Sequence, residues 1–103
     1  MKRDIIINNW VKMLNVKRLE DFSVEQLAYL YDELYLSPMG SASQIFEESN
    51  DDERTEFGKA LLNCIKNDKQ LEIFTIFNEG IKDETTKEYF DFCSRHHFWY
   101  QVI

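Results

Sequence analysis

The sequence has few of the residues that break helices. Its 103 residues include only three glycines and one proline. All-β sandwiches and doubly wound sheets need turn residues at many points, so this scarcity argues against both and favours helices joined by short polar turns. The glycines, Gly40, Gly58 and Gly80, are also too far apart to form a glycine-rich loop that cradles a phosphate.

Long hydrophobic runs are also missing. The N-terminal run Ile5–Ile7 is only three residues long, whereas a signal-peptide core needs about 7–15 apolar residues and a membrane span about 20. We therefore expect a cytoplasmic protein without membrane contact. Because 44% of the residues are hydrophobic and 15% aromatic, intrinsic disorder is excluded. The length suits one domain over residues 1–103.

Cysteine is rare, and its placement argues against catalysis and metal binding. Cys64 and Cys93 both fall in apolar helical patterns, where a free cysteine acts as a small hydrophobic residue. A disulfide between them stays open. The group Cys93, His96 and His97 could share a metal on one helix, but a structural zinc site needs about four ligands and no second close pair exists. We expect no cofactor, no metal and no enzymatic activity.

The periodicity of apolar residues predicts an all-α, compact, single-domain bundle of about five helices. Ser23 with Gln26 three residues later is typical of a capping box, and Asn50 or Ser49 is predicted to cap a later helix before an acidic first turn. The predicted helices cover residues 3–15, 24–36, a short turn at 45–46, a segment from 51 onward, 68–81 and 84–100.

The charge of one sign is concentrated in the middle of the chain. Residues 20–56 hold 11 acids and one base, Arg54, while the whole chain has a net charge of −7. This balance argues against direct nucleic-acid binding, which needs a basic face. Helix-start acids explain part of the excess without a partner, but the concentration favours a surface for a basic protein. The predicted partner-binding residues are Tyr29, Asp32, Glu33, Tyr35, Glu47, Glu48, Asp51, Asp52, Glu53 and Glu56.

As a type, the chain resembles a known class of small proteins. A short, acidic, helical chain without a catalytic motif, carrying acidic groups at 32–33, 47–48 and 51–53, is similar to the bacterial immunity proteins of toxin systems, including contact-dependent growth inhibition. The resemblance implies that the protein binds and neutralises a cognate toxin, often a nuclease. Its carboxylates would then occupy a basic cleft, with Tyr29 or Tyr35 at the centre.

Two other interpretations stay open. A phage-type nucleic-acid mimic would share the acidic surface but needs charges spaced along an elongated face. A helical adaptor or regulatory protein-interaction domain would instead use exposed aromatic residues of the C-terminal segment. The rings considered for that role are Phe90, Phe98, Trp99 and Tyr100. The oligomeric state is left undetermined by the sequence.

Overall fold

The protein is an all-α bundle, as the sequence predicts. The computed structural model describes residues 2–35, 41–69, 78–96 and 98. Within these ranges there is no strand, and five α-helices are described from end to end, with a short 3-10 turn at Leu19–Asp21. The helices are α1 (Lys2–Leu14), α2 (Val24–Leu34), α3 (Ser41–Glu48), α4 (Asp51–Lys66) and α5 (Glu84–Arg95).

Side-chain caps fix where three of the helices begin. The predicted capping box of α2 is confirmed, since Ser23 and Gln26 exchange side-chain and backbone hydrogen bonds. Of the two candidates before α4, Asn50 is the cap, and it forms a second capping box with Glu53. Each box satisfies two backbone N–H groups that a helix start leaves without partners. Asp83 caps α5 by accepting from the backbone N–H of Thr86 at 2.8 Å.

Helix ends are set by backbone turns that need neither glycine nor proline. The N–H groups of Val16, Lys69 and Phe98 each donate to the carbonyl five residues earlier, which is the outer bond of a Schellman motif. The residues before the first two donors, Asn15 and Asp68, have φ of 55° and 52°. Asparagine and aspartate tolerate that left-handed conformation better than most residues.

The predicted end of the last helix was wrong. We expected helix as far as Tyr100, but α5 ends at Arg95 and His96 is its C-cap. The chain turns back there, so that the Phe98 ring stacks on Phe92 with centroids 5.9 Å apart. A hydrophobic contact of this kind often accompanies a Schellman motif, and it is the physical reason for the early end.

Most of the predicted helix over 68–81 lies outside the described residues. Of its described part, Asp68 belongs to the turn after α4, whereas Asn78 and Glu79 are helical. Gly80 follows with φ of 78°, a conformation that glycine adopts without strain.

Helix α4 lies at the centre of the bundle, packed between α2 and α5, while α3 covers α2. Tyr89, Phe57 and Phe92 are the largest side chains that are fully buried. Helix α1 contributes no fully buried residue and leans on the bundle with half-buried side chains such as Trp10. No helix in the described ranges is both long and apolar enough to cross a bilayer.

Candidate functional site: an acidic corner between two helices

The predicted partner-binding acids divide into a group used by the fold and a group left exposed. Asp32 belongs to the first group. Its two carboxylate oxygens accept from the backbone N–H groups of Ala42 and Ser43, each at 3.0 Å. Asp32 therefore caps the start of α3 from the neighbouring helix α2, although ten residues of chain separate it from Ala42.

Glu33 and Tyr35 also bind within the molecule. Glu33 accepts from the indole N–H of Trp10 at 2.6 Å, which ties α2 to α1. The Tyr35 hydroxyl donates to Asp68 at 3.0 Å. Burial, together with that carboxylate, raises the pKa of Tyr35 to about 12. Both side chains thus form hydrogen bonds within the fold, and these bonds explain their positions without an external partner.

Glu53 and Glu56 lie one turn apart on α4 and both face the end of α5. Glu53 is 3.1 Å from Nδ1 of His96, and Glu56 is 2.9 Å from Nε2 of the same ring. Arg95 also donates to Glu56, at 2.5 Å. We call this group of Glu53, Glu56, Arg95 and His96 the α4–α5 clasp.

Four predicted acids stay on the surface, where α3 ends and α4 begins. Glu47, Glu48, Asp51 and Asp52 are all exposed, and we call them the acidic corner. Among the described residues, no ion pair or hydrogen bond reaches the side-chain carboxylate of Glu47, Asp51 or Asp52. Their negative charge is therefore available to solvent or to a partner.

The two halves of the corner differ in their effect on the fold. Asp51 and Asp52 occupy the first turn of α4, where the positive end of the helix dipole favours an acid. Glu47 and Glu48 occupy the last turn of α3, which contains no basic residue of its own and where the dipole disfavours an acid; the base that reaches this helix end is Arg54 of α4, which donates to the Phe46 carbonyl. The helix dipole thus explains why negative charges stand at Asp51 and Asp52, but it does not explain those at Glu47 and Glu48.

Tyr29 is the exposed aromatic residue nearest in the chain to this region. It lies on α2 with 45% of its surface exposed. Because residues three apart share a helix face, it lies on the side of α2 where Asp32 contacts the start of α3. An exposed ring on this side of α2 is suited to contact a partner protein.

The cysteines have the properties of structural thiols. Both are fully buried and free. Burial raises the pKa of Cys64 to about 12 and also raises the pKa of Cys93. A thiol that is protonated and inaccessible is a poor nucleophile. In the described part of the chain, no group of three or more metal-ligating side chains is placed to hold an ion.

The geometry between α4 and α5 also separates the two thiols. Asn63 donates to Glu88 and Asn67 donates to Thr85, so the helices run antiparallel and Cys64 lies level with residues near 88. Cys93 is therefore displaced along the helix axis by about 8 Å, given a rise of about 1.5 Å per residue. A disulfide needs Cα atoms within about 7 Å, so this displacement argues against a disulfide between Cys64 and Cys93.

The aromatic residues considered for an adaptor surface are only partly described. Phe98 is buried and Phe90 is half-buried against the core. Trp99 and Tyr100 lie outside the described residues. The described rings thus favour packing over binding.

Sequence reasoning missed two features of the site. The cap that Asp32 supplies to α3 has no local signal, because the donor and acceptor come from different helices. The Asn50–Glu53 capping box did have a local signal, an asparagine followed three residues later by a glutamate.

Comparisons with family models, curated proteins and solved structures found no match to the chain.

Proposed function

We propose that the protein is an immunity protein of the bacterial cytoplasm that binds and neutralises a toxin with a basic surface, in the manner of a nuclease inhibitor. The acidic corner would be the contact surface. One observation carries this proposal: Glu47 is exposed, unpaired among the described residues, and located at the helix end that disfavours its charge. Such a residue costs stability, so a role in binding is the physical reason we offer for it.

The internal bonds of the other acids narrow the proposed surface. Asp32, Glu33, Glu53 and Glu56 each have a partner within the fold, and a basic partner would have to compete with those bonds. The contact is therefore proposed for Glu47, Asp51 and Asp52, together with the exposed Glu48 next to them in the chain and with Tyr29 as an exposed ring on α2.

The mechanism follows from the charge and the rigidity of the corner. The exposed carboxylates of Glu47, Asp51 and Asp52, which are unpaired among the described residues, attract a basic cleft over a distance, which raises the association rate and orients the encounter. The corner is held by the caps at Asp32 and Asn50, and by Arg54, which donates to the Phe46 carbonyl at 2.9 Å. Carboxylates held in this way would fill the cleft that the toxin uses for phosphate groups, and nucleic acid could no longer enter.

The proposal predicts a toxic domain encoded next to this gene, and the test is binding to that domain with two charge-matched variants. The corner variant is Glu47→Gln, Asp51→Asn and Asp52→Asn. The control variant is Glu25→Gln, Glu79→Gln and Glu84→Gln. All six of these acids are exposed, and each triple variant removes three negative charges from a net charge of −7.

We expect the corner variant to lose at least about 100-fold in affinity, or roughly 1 kcal/mol per charge, and the control to lose much less. The association rate of the native protein should fall as salt is raised.

Equal losses of affinity in both variants would show that only net charge matters and would refute the acidic corner as the contact surface. If Trp99→Ala abolishes binding while the corner variant binds normally, the adaptor interpretation is correct. Binding of this protein to duplex DNA in the absence of any protein toxin would overturn the proposal.

A further inference from the structure

The α4–α5 clasp places one imidazole between two carboxylates. The Nδ1 atom of His96 is 3.1 Å from Glu53 and its Nε2 atom is 2.9 Å from Glu56. A neutral imidazole has one N–H, whereas the imidazolium ion has two. Only the protonated ring can therefore donate to both carboxylates at once.

The carboxylates are not free to turn away from the ring. Glu53 also accepts from the backbone N–H of Asn50 at 2.9 Å, as the third residue of the α4 capping box. Glu56 is held by Arg95 at 2.5 Å. In the neutral form of His96, one ring nitrogen would thus direct a lone pair at a carboxylate oxygen that other bonds hold in place.

The surroundings of the ring add to this dependence on a proton. His96 is the C-cap of α5, where the helix dipole favours a cation, and it packs against Phe92 with centroids 4.9 Å apart. The charged groups that the described residues bring to the ring are Glu53 and Glu56 from α4 and Arg95 from α5. With the imidazolium present, these charges sum to zero.

We propose that the clasp is a proton-operated latch that holds the end of α5 on the first turns of α4. With His96 protonated, its hydrogen bond to Glu56 and its ion pair with Glu53 hold the end of α5 on α4. On deprotonation the ion pair with Glu53 is lost and the cluster keeps an unbalanced negative charge, so the latch loosens. Because Phe98 packs on Phe92 next to the clasp, loosening would release the last described turn of the chain.

The experiment measures the unfolding equilibrium constant of the full chain in urea at pH 5.5 and pH 8.0. The two pH values lie on either side of pH ~6.5, where an unperturbed histidine changes charge. We expect the unfolding constant of the native protein to rise about tenfold over this interval, as for one charge-assisted hydrogen bond at a partly exposed site.

Three variants make the result specific. His96→Gln should remove the pH dependence, and His97→Gln should keep it, since these are the two histidines of the chain. Glu53→Gln should reduce the dependence while preserving the capping box, because glutamine also serves at that position. This last variant keeps the test valid if His96→Gln fails to fold. A pH dependence that persists unchanged in either His96→Gln or Glu53→Gln would overturn the proposal.

Discussion

At the scale of single residues, several acids that the sequence suggests as binding groups serve as caps or ties. Asp32 is the clearest case, because both of its oxygens accept backbone N–H groups at the start of α3. Its sequence neighbours inside α2, Tyr31 and Glu33, give no hint of this role. The cap depends on a contact between two helices, and such contacts are not visible in a local pattern.

Replacement of Asp32 tests the cap. We expect Asp32→Ala to lower the free energy of unfolding by about 1–2 kcal/mol, the usual cost of losing an N-terminal cap. Asp32→Asn keeps one carbonyl acceptor, so its loss should be smaller. Urea denaturation followed by circular dichroism measures both. Equal stability of Asp32→Ala and the native protein would show that the α3 start does not depend on this side chain.

The buried thiols predict a loss of stability at high pH. Unfolded cysteine ionises near pH 8.5, whereas burial raises the pKa of Cys64 to about 12. Above pH ~8.5 the unfolded state therefore gives up protons that the folded state keeps, and the free energy of unfolding falls by up to ~1.4 kcal/mol per pH unit for each thiol. Urea titrations at pH 8 and pH 10 measure the slope.

A double variant, Cys64→Ala with Cys93→Ala, serves as the control for that slope. It should be less stable at pH 8 because it leaves cavities, yet its stability should decline less between pH 8 and pH 10. In the native protein at pH 8, iodoacetamide should modify the thiols only when the fold opens. Rapid modification without denaturant would contradict the burial of both side chains.

At the scale of elements, the sequence predicts helix starts better than helix ends. The Ser23 cap of α2 and the acidic first turn of α4 follow local rules, and both are present. The end of α5 depends on the stacking of Phe98 on Phe92, a contact that forms only after the chain has turned. The acidic corner was within the predicted binding set, but its separation from Glu53 and Glu56 required the position of α5.

Helix α2 packs tightly against α4 at Gly58. A Cβ atom built on Gly58 would lie 2.7 Å from Cγ2 of Val24, well inside van der Waals contact. In an exposed helix, Gly→Ala would stabilise by about 1 kcal/mol. Here we expect Gly58→Ala to destabilise the protein by about 1–3 kcal/mol, because the added methyl group overpacks the contact.

A double-mutant cycle tests this explanation. Val24→Ala removes the side-chain atoms that the new methyl group would meet. The combination of Gly58→Ala and Val24→Ala should therefore be more stable than the sum of the single changes implies, by about 1 kcal/mol or more. Strict additivity, measured by urea denaturation, would mean that the loss comes from elsewhere in the helix.

At the scale of the whole molecule, the charge that we propose for binding opposes folding. Glu47 is exposed at the end of α3 that disfavours an acid, in a chain with a net charge of −7. We expect Glu47→Lys to raise the free energy of unfolding by about 0.5–1 kcal/mol at low salt, since it places a cation at the helix end that favours one. The gain should shrink as salt screens both the dipole and the repulsion between acids.

Asp52→Lys is the matched reversal, because Asp52 is equally unpaired among the described residues but lies in the first turn of α4, so it should lower stability. Both reversals should weaken binding to a basic toxin domain if the acidic corner is the contact surface. If the Glu47→Lys protein is more stable than the native one and binds the toxin domain as tightly, the negative charge at position 47 supports neither folding nor binding.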